Sequence, residues 1–212
     1  MTPLRGWRRV WPLFWLKAVG TSAFMTLFFT AYIHLLKNPR GEVITMPLTR
    51  LDAWIPFQWW AVLIYLSLWF YVSMPVALMV RWRDVASYGW RIALLCLVGL
   101  ACFWLWPTAV PPSNIDWAVY PGLSVLKGVD TAGNACPSLH VATAVFSACW
   151  LRWMAPYVGV GRRWRVATAL WCVGIAYSTV AIRQHVVLDV CSGALLGAGM
   201  ARLLRPSALL RA

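Results

Sequence analysis

Three side chains have the types and spacing for chemistry at phosphorus: His140, His185 and Asp189. His185 and Asp189 stand four residues apart, so on a helix they share one face. The carboxylate can then accept a hydrogen bond from one imidazole nitrogen, fix the tautomer and leave the other nitrogen with its lone pair available. That arrangement suits a nucleophile or a base; the plainer alternative is a structural His–Asp pair that locks helices together. His140 closes the run Pro137-Ser138-Leu139-His140, which opens an apolar segment. Proline fits the first turn of a helix, where its missing N–H would be unpaired in any case. The same helix end offers free N–H groups and the positive end of the dipole to an anion. Ser138 adds a hydroxyl donor, and His140, one turn in, is placed to act on that anion. Two imidazoles and a carboxylate beside helix N-termini imply phosphoryl transfer. The only other histidine, His34, ends the first apolar run and reads as a lone interfacial residue.

The elements that must position these residues are apolar helices. Of 212 residues, 61% are hydrophobic and 12% charged, which argues against a water-soluble domain. Crossing the hydrocarbon core takes about 20 apolar residues as a helix. Six runs approach that length: roughly 16–36, 58–80, 90–106, 137–155, 165–182 and 185–204. The expectation is an all-α, polytopic integral membrane protein: one domain over 1–212, a bundle of six transmembrane helices, with the chemistry-bearing motifs within 130–142 and 178–190. Arg5, Arg8 and Arg9 resemble a basic leader, but the apolar run after them is long and lacks a small-residue cleavage site, so it reads as a retained span. Gly193 and Gly197 extend the spacing of His185 and Asp189 into a G-x-x-x-G, which would let a neighbouring helix approach closely.

Charge sets the expected orientation. With six spans and both termini cytoplasmic, the inner segments hold Arg5, Arg8, Arg9, Lys17, Arg81, Arg83, Arg91, Arg152, Arg162, Arg163, Arg165, Arg202, Arg205 and Arg211, 14 of the 19 basic residues. Nearly all of the +13 net charge then lies inside, in line with the positive-inside bias. His140 and the His185/Asp189 pair fall together on the extracytoplasmic side, consistent with a bacterial-type plasma (inner) membrane. The dispersed charges form no basic–aromatic module, so nucleic acid is not a partner, and no obligate protein partner is evident. Trp7, Trp11, Trp82, Trp90 and Trp164 fall near the inner boundary and Trp59, Trp60, Trp104 and Trp106 near the outer, as in an aromatic belt. Five of the six cysteines lie in the apolar runs and Cys136 stands alone outside; there is no C-x-x-C. Neither a disulfide framework nor a zinc spacing is indicated. Two outer loops are long enough to carry function: about 37–57, with Lys37, Arg40, Arg50 and Asp52, and about 107–136, in which 117–126 could form a short interfacial helix.

Taken together, Asp130, Asn134, the PSLHVA run at 137–142 and STVAIRQHVVLDV at 178–190 followed by SGALLG resemble the type 2 phosphatidic acid phosphatase superfamily. The likeness is greatest to the branch near inositol phosphorylceramide and sphingomyelin synthases. Weaker echoes are PLTRLDAWIPF at 47–57 and WPT at 106–108, so the resemblance runs from about 47 to 205. It implies that His185 attacks phosphorus to form a phosphohistidine, that Asp189 orients it, and that His140 protonates the leaving oxygen and then activates water or an acceptor alcohol. No metal and no other cofactor is implied. The chain departs from the pattern in lacking K-x6-R-P, in carrying Ser178-Thr179 where Ser-Arg is usual, and in having Pro111-Pro112-Ser113 where the synthase-like branch has a basic residue. Charge on a transferring phosphoryl group needs cations or aimed donors. The substitutes are Arg183, two residues before His185, then Lys127 and Arg50, with Ser138 as a hydroxyl donor.

The function expected is hydrolysis of a phosphomonoester or diphosphate on a membrane lipid. The alternatives are transfer of a phospho-alcohol headgroup to a lipid hydroxyl, and a non-catalytic protein that binds lipid phosphate. A haloperoxidase fits less well, since a soluble bundle would not carry six spans.

Overall fold

The structure, a computed structural model, describes residues 10–113, 115 and 133–206. The expectations placed on Arg5, Arg8, Arg9, Trp7, Lys127, Asp130 and Arg211, and the interfacial helix over 117–126, lie outside those residues. In chain order the elements are α1 (Phe14–Lys37), β1 (Ile44–Thr45), α2 (Arg50–Trp54), α3 (Ala61–Leu66), α4 (Leu68–Leu78), α5 (Trp82–Leu105), β2 (Thr108–Ala109), α6 (Leu139–Val158), α7 (Arg162–Ala181) and α8 (Val187–Leu203). The protein is mostly helical, and every apolar run read from the sequence carries a helix. The run at 58–80 is interrupted at Ser67, whose hydroxyl bonds back to the Ile64 carbonyl and accepts from the Trp171 indole N–H at 2.7 Å. A serine hydroxyl competing for backbone partners is a common cause of such a break.

Two residues from each of two loops pair as parallel strands, Ile44 with Thr108 and Thr45 with Ala109. Ala109 also bridges to Gly133. These bonds join the loop after α1 to the loop after α5.

Helix α6 is the axis of the bundle and packs against α4, α5, α7 and α8. Its buried face carries Phe146, Trp150, Leu151 and Met154. It begins at Ser138, whose Oγ accepts from the Val141 N–H, and ends at Gly159, where φ is +77°. A left-handed residue at that point is the usual helix stop, and glycine takes it without strain. On α8, a Cβ at Gly193 would stand 2.3 Å from the Ser138 carbonyl oxygen, and one at Gly197 would stand 2.3 Å from that of Ala142. The G-x-x-x-G therefore presses the Gly193–Gly197 stretch of α8 against the first turn of α6 backbone to backbone. By contrast α1 sits at the edge of the bundle against α5.

Among the described residues, three helical stretches are long and apolar enough to cross a membrane: Phe14–Lys37, Ala61–Leu78 and Trp82–Leu105. Helices α6, α7 and α8 are of 20, 20 and 17 residues, and each carries polar groups that lower its hydropathy, His140 and Arg152 on α6 among them.

Candidate active site

The head of α8 is built around carboxylates. Asp189, fully buried, accepts a hydrogen bond from the Val186 N–H at 3.1 Å through Oδ2. Asp52, also buried, accepts from the Val187 N–H at 2.8 Å through Oδ1. Its Oδ2 takes both the N–H and the hydroxyl of Thr49 at 2.7 Å. Thr49 and Asp52 thus form a capping box for the short α2, and the leftover carboxylate oxygen docks that loop on α8. A helix N-terminus favours negative charge, and at α8 two of the protein's own carboxylates supply it. The expectation that these helix ends hold the substrate anion needs the same amendment at α6. There the Ser138 N–H donates to the Asp189 carbonyl at 3.0 Å, and its hydroxyl caps Val141.

His185 sits in the turn between α7 and α8. Its backbone N–H, like that of Gln184, donates to the Thr179 carbonyl. The ring is 7% exposed, with Nδ1 3.5 Å from Asp189 Oδ2. That distance is long for a formed hydrogen bond, and neither His185 Nδ1 nor Asp189 Oδ1 has a hydrogen-bond partner among the described residues. Catalytic contacts are often loose before substrate binds and tighten afterwards. On the other side of the ring, His185 Nε2 lies 3.1 Å from His140 Nδ1. His140 Nε2 lies 3.0 Å from the Tyr65 hydroxyl.

Tyr65, His140, His185 and Asp189 thus stand in one line, with successive separations of 3.0, 3.1 and 3.5 Å.

The structure therefore brings His140, His185 and Asp189 together, although the histidines are 45 residues apart in sequence. Among the described residues, two of the expected phosphate donors, Ser138 and Arg183, have other hydrogen-bond partners. Ser138 is fully buried as a cap. Arg183, at φ +63°, turns its guanidinium away to the Asp52 and Ile55 carbonyls at 3.2 and 3.0 Å. It fastens the α2 loop to the turn that carries His185. Arg50 is exposed at the first position of α2, and Lys127 lies outside the described residues.

Two residues of this assembly escape a sequence reading, Tyr65 and Asp52. Tyr65 is hidden in an apolar run, where a tyrosine looks like core; its signal is only that a buried phenol needs a partner. For Asp52 the signal is its spacing of three from Thr49, a capping pattern that carries no hint of the reach to α8. Cys136, beside the site, shares a hydrogen bond with Ser192 at 3.2 Å. Burial pushes its thiol up, against the opposing pull of that hydrogen bond, so it is a poor nucleophile at neutral pH.

An apolar cavity of about 260 Å³ opens beneath the two rings, lined by Tyr65, His140 and His185 at one end and by Phe28, Cys96 and Phe103 along its walls. Compared with known proteins, residues 107–209 match the family model described as PAP2 superfamily. No curated protein and no solved structure matches the chain. The matched stretch contains His140, His185 and Asp189, and leaves Tyr65 and Asp52 outside it.

Proposed function

We propose, on the likeness of residues 107–209 to the PAP2 superfamily model, that the chain hydrolyses a phosphomonoester or diphosphate borne by a membrane lipid. Phosphatase chemistry is general to the superfamily; the lipid substrate and the covalent route are the proposal. The observation that carries it is the line Tyr65–His140–His185–Asp189, with separations of 3.0, 3.1 and 3.5 Å, whose two rings lie at one end of an apolar cavity.

In the proposed first step His185 Nε2 attacks phosphorus. The N–P bond forms as the P–O bond to the lipid breaks, and His140, entering this step protonated on both nitrogens, passes its Nδ1 proton to the leaving oxygen and is left neutral. Asp189 holds the Nδ1 proton of His185 and stabilises the positive ring that results. In the second step His140, now basic, takes a proton from water. The hydroxide oxygen bonds to phosphorus, the N–P bond breaks, and inorganic phosphate leaves. Attacking and leaving atoms lie on opposite sides of a transferring phosphoryl group. The 3.1 Å gap between the histidine nitrogens must therefore open as substrate enters. Rotation of His140 away from His185 is the simplest way. Arg50 and Lys127 are the cations proposed to meet the phosphate oxygens, Arg183 being engaged with backbone carbonyls.

We place the site at the extracytoplasmic face of a six-span, multi-pass protein with both termini in the cytoplasm. Positive charge on the inner loops supports that orientation. The 20 residues of α6 and of α7 reach about 30 Å at 1.5 Å per residue, enough for the hydrocarbon core. Exposed apolar side chains on the outer faces of α7 and α8, such as Leu170, Val173, Leu195 and Leu203, suit contact with lipid.

The test compares detergent-purified wild type with His185→Ala on a panel of lipid phosphates and diphosphates, with and without diacylglycerol or ceramide. Free phosphate that disappears in the variant supports the hydrolase. A new phospholipid that forms only with acceptor and needs His185 would make it a headgroup transferase, since the two reactions share the first step. No His185-dependent product of either kind would leave a lipid-phosphate binder.

A further inference from the structure

Helices α6 and α7 border a groove of about 600 Å³ that shares no lining residue with the cavity at His140 and His185. Val166, Leu170 and Val173 of α7 form part of its wall. All three are exposed on the surface of the bundle. The same groove is lined by Arg152 of α6 and by Arg162 and Arg165 of α7. Along α7 it runs from Arg162 to Val173, about 16 Å at 1.5 Å per residue. One leaflet supplies half of the roughly 30 Å hydrocarbon core, so the groove is about one leaflet deep.

The positive charge at its head has no counter-charge in the fold. Among the described residues the Arg152, Arg162 and Arg165 guanidinium groups make no salt bridge and no hydrogen bond. Asp52 and Asp189 are buried in the candidate active site, Glu42 lies in the loop after α1, and Asp84 is paired with Arg81 at 2.8 Å. Arg162 and Arg165 also stand in the first turn of α7, which carries no acidic residue, although the helix dipole disfavours cations there. The positive-inside bias explains why arginines occur in the α6–α7 connection. It does not explain why three of them line one apolar groove.

We propose that this groove binds one anionic phospholipid of the inner leaflet, at a site separate from the candidate active site. The lipid phosphodiester meets Arg152, Arg162 and Arg165, and one acyl chain lies along Val166, Leu170 and Val173. The planar guanidinium can offer two N–H groups to two phosphate oxygens at once. Uncompensated charge selects an anionic headgroup over a zwitterionic one. An apolar wall of leaflet depth selects a lipid over a soluble anion. The inference makes no use of the hydrolase reading; the proposed orientation serves only to assign the leaflet.

The full-length protein in neutral detergent is titrated with dioleoyl phosphatidylglycerol and with phosphatidylcholine of the same chains, and bound lipid is counted by native mass spectrometry. Wild type should bind phosphatidylglycerol more tightly. Arg152→Gln, Arg162→Gln and Arg165→Gln should each weaken that binding about fivefold, and the triple variant on the order of a hundredfold. Arg163→Gln makes the same charge change in the same turn but outside the groove, and should leave binding unaltered. Ala169→Trp keeps every charge and fills the apolar part, so it too should weaken binding. All five side chains are exposed, and an unchanged unfolding midpoint in lipid-free detergent checks that each variant folds.

Equal binding of the two lipids, full binding by the triple variant, or an equal loss in Arg163→Gln overturns the proposal. Full binding by Ala169→Trp overturns it as well, since the chain would then lie elsewhere. So does competition by glycerol 1-phosphate at the lipid's own concentration, which would make the groove a site for soluble anions.

Discussion

Two pairs of helical glycines divide the molecule. Gly193 and Gly197 lie where α8 meets α6, and a Cβ on either would stand 2.3 Å from a backbone carbonyl oxygen. Gly20 and Gly89 lie where α1 faces α4 and α5, and a Cβ there would touch nothing. The same residue closes one interface and opens another. The closed interface holds the heads of α6 and α8 in register, and with them His140, His185 and Asp189. The open one borders an apolar space of about 490 Å³.

The largest effect should come from breaking the chemistry without touching either interface. Asp189→Asn should lower kcat on the order of 10³- to 10⁴-fold, by analogy with an orienting aspartate whose loss leaves the wrong histidine tautomer. The fold should survive, as judged by thermal unfolding in detergent. Near-normal turnover would remove Asp189 from its orienting role.

Next is the closed seam. Gly193→Val must push Ser138 and the first turn of α6 away, an overpacking cost of about 1–3 kcal/mol. A fall in the thermal midpoint should accompany a loss of activity, because the same turn carries His140. An unchanged midpoint would mean that the helices are not locked at this point.

Tyr65→Phe removes one hydrogen bond to His140, worth about 0.5–1.5 kcal/mol. That corresponds to a loss in kcat of about two- to tenfold, with KM little altered if the phenol acts only by orienting the ring. A change confined to KM would move Tyr65 from the proton path to the cavity wall.

The smallest effect, and the only stabilising one, belongs to the open seam. Gly89→Ala gains helix propensity worth about 0.5–1 kcal/mol and meets no neighbour. Its thermal midpoint should rise where that of Gly193→Val falls. A drop in both would erase the contrast between the seams.

Much of this was readable along the chain, for reasons tied to particular residues. Length and apolarity marked all six runs, because helices that face lipid must be apolar over their whole length. The His185/Asp189 spacing placed both groups on one face, because helical periodicity is local. The G-x-x-x-G announced a close approach but not its partner, which proved to be the Ser138–Ala142 turn of α6. Arg183 shows where local reasoning fails. Two residues from His185 it looks like a phosphate clamp, yet its guanidinium reaches the carbonyls of the α2 loop from a left-handed backbone conformation. Ser138 shows the same: read as a hydroxyl donor, it is a buried cap in the fold.

What belongs to the sequence is therefore what depends on neighbours a few residues apart: the helices, their apolar character, the charge asymmetry and the pairing of His185 with Asp189. What belongs to the tertiary structure is every contact between groups distant along the chain. His140 meets His185 across 45 residues, Tyr65 meets His140 across 75, and Asp52 reaches the head of α8 across 135. No local period encodes such distances. They arise because burying apolar faces and satisfying backbone N–H groups at helix ends leaves few ways to bring the helices together.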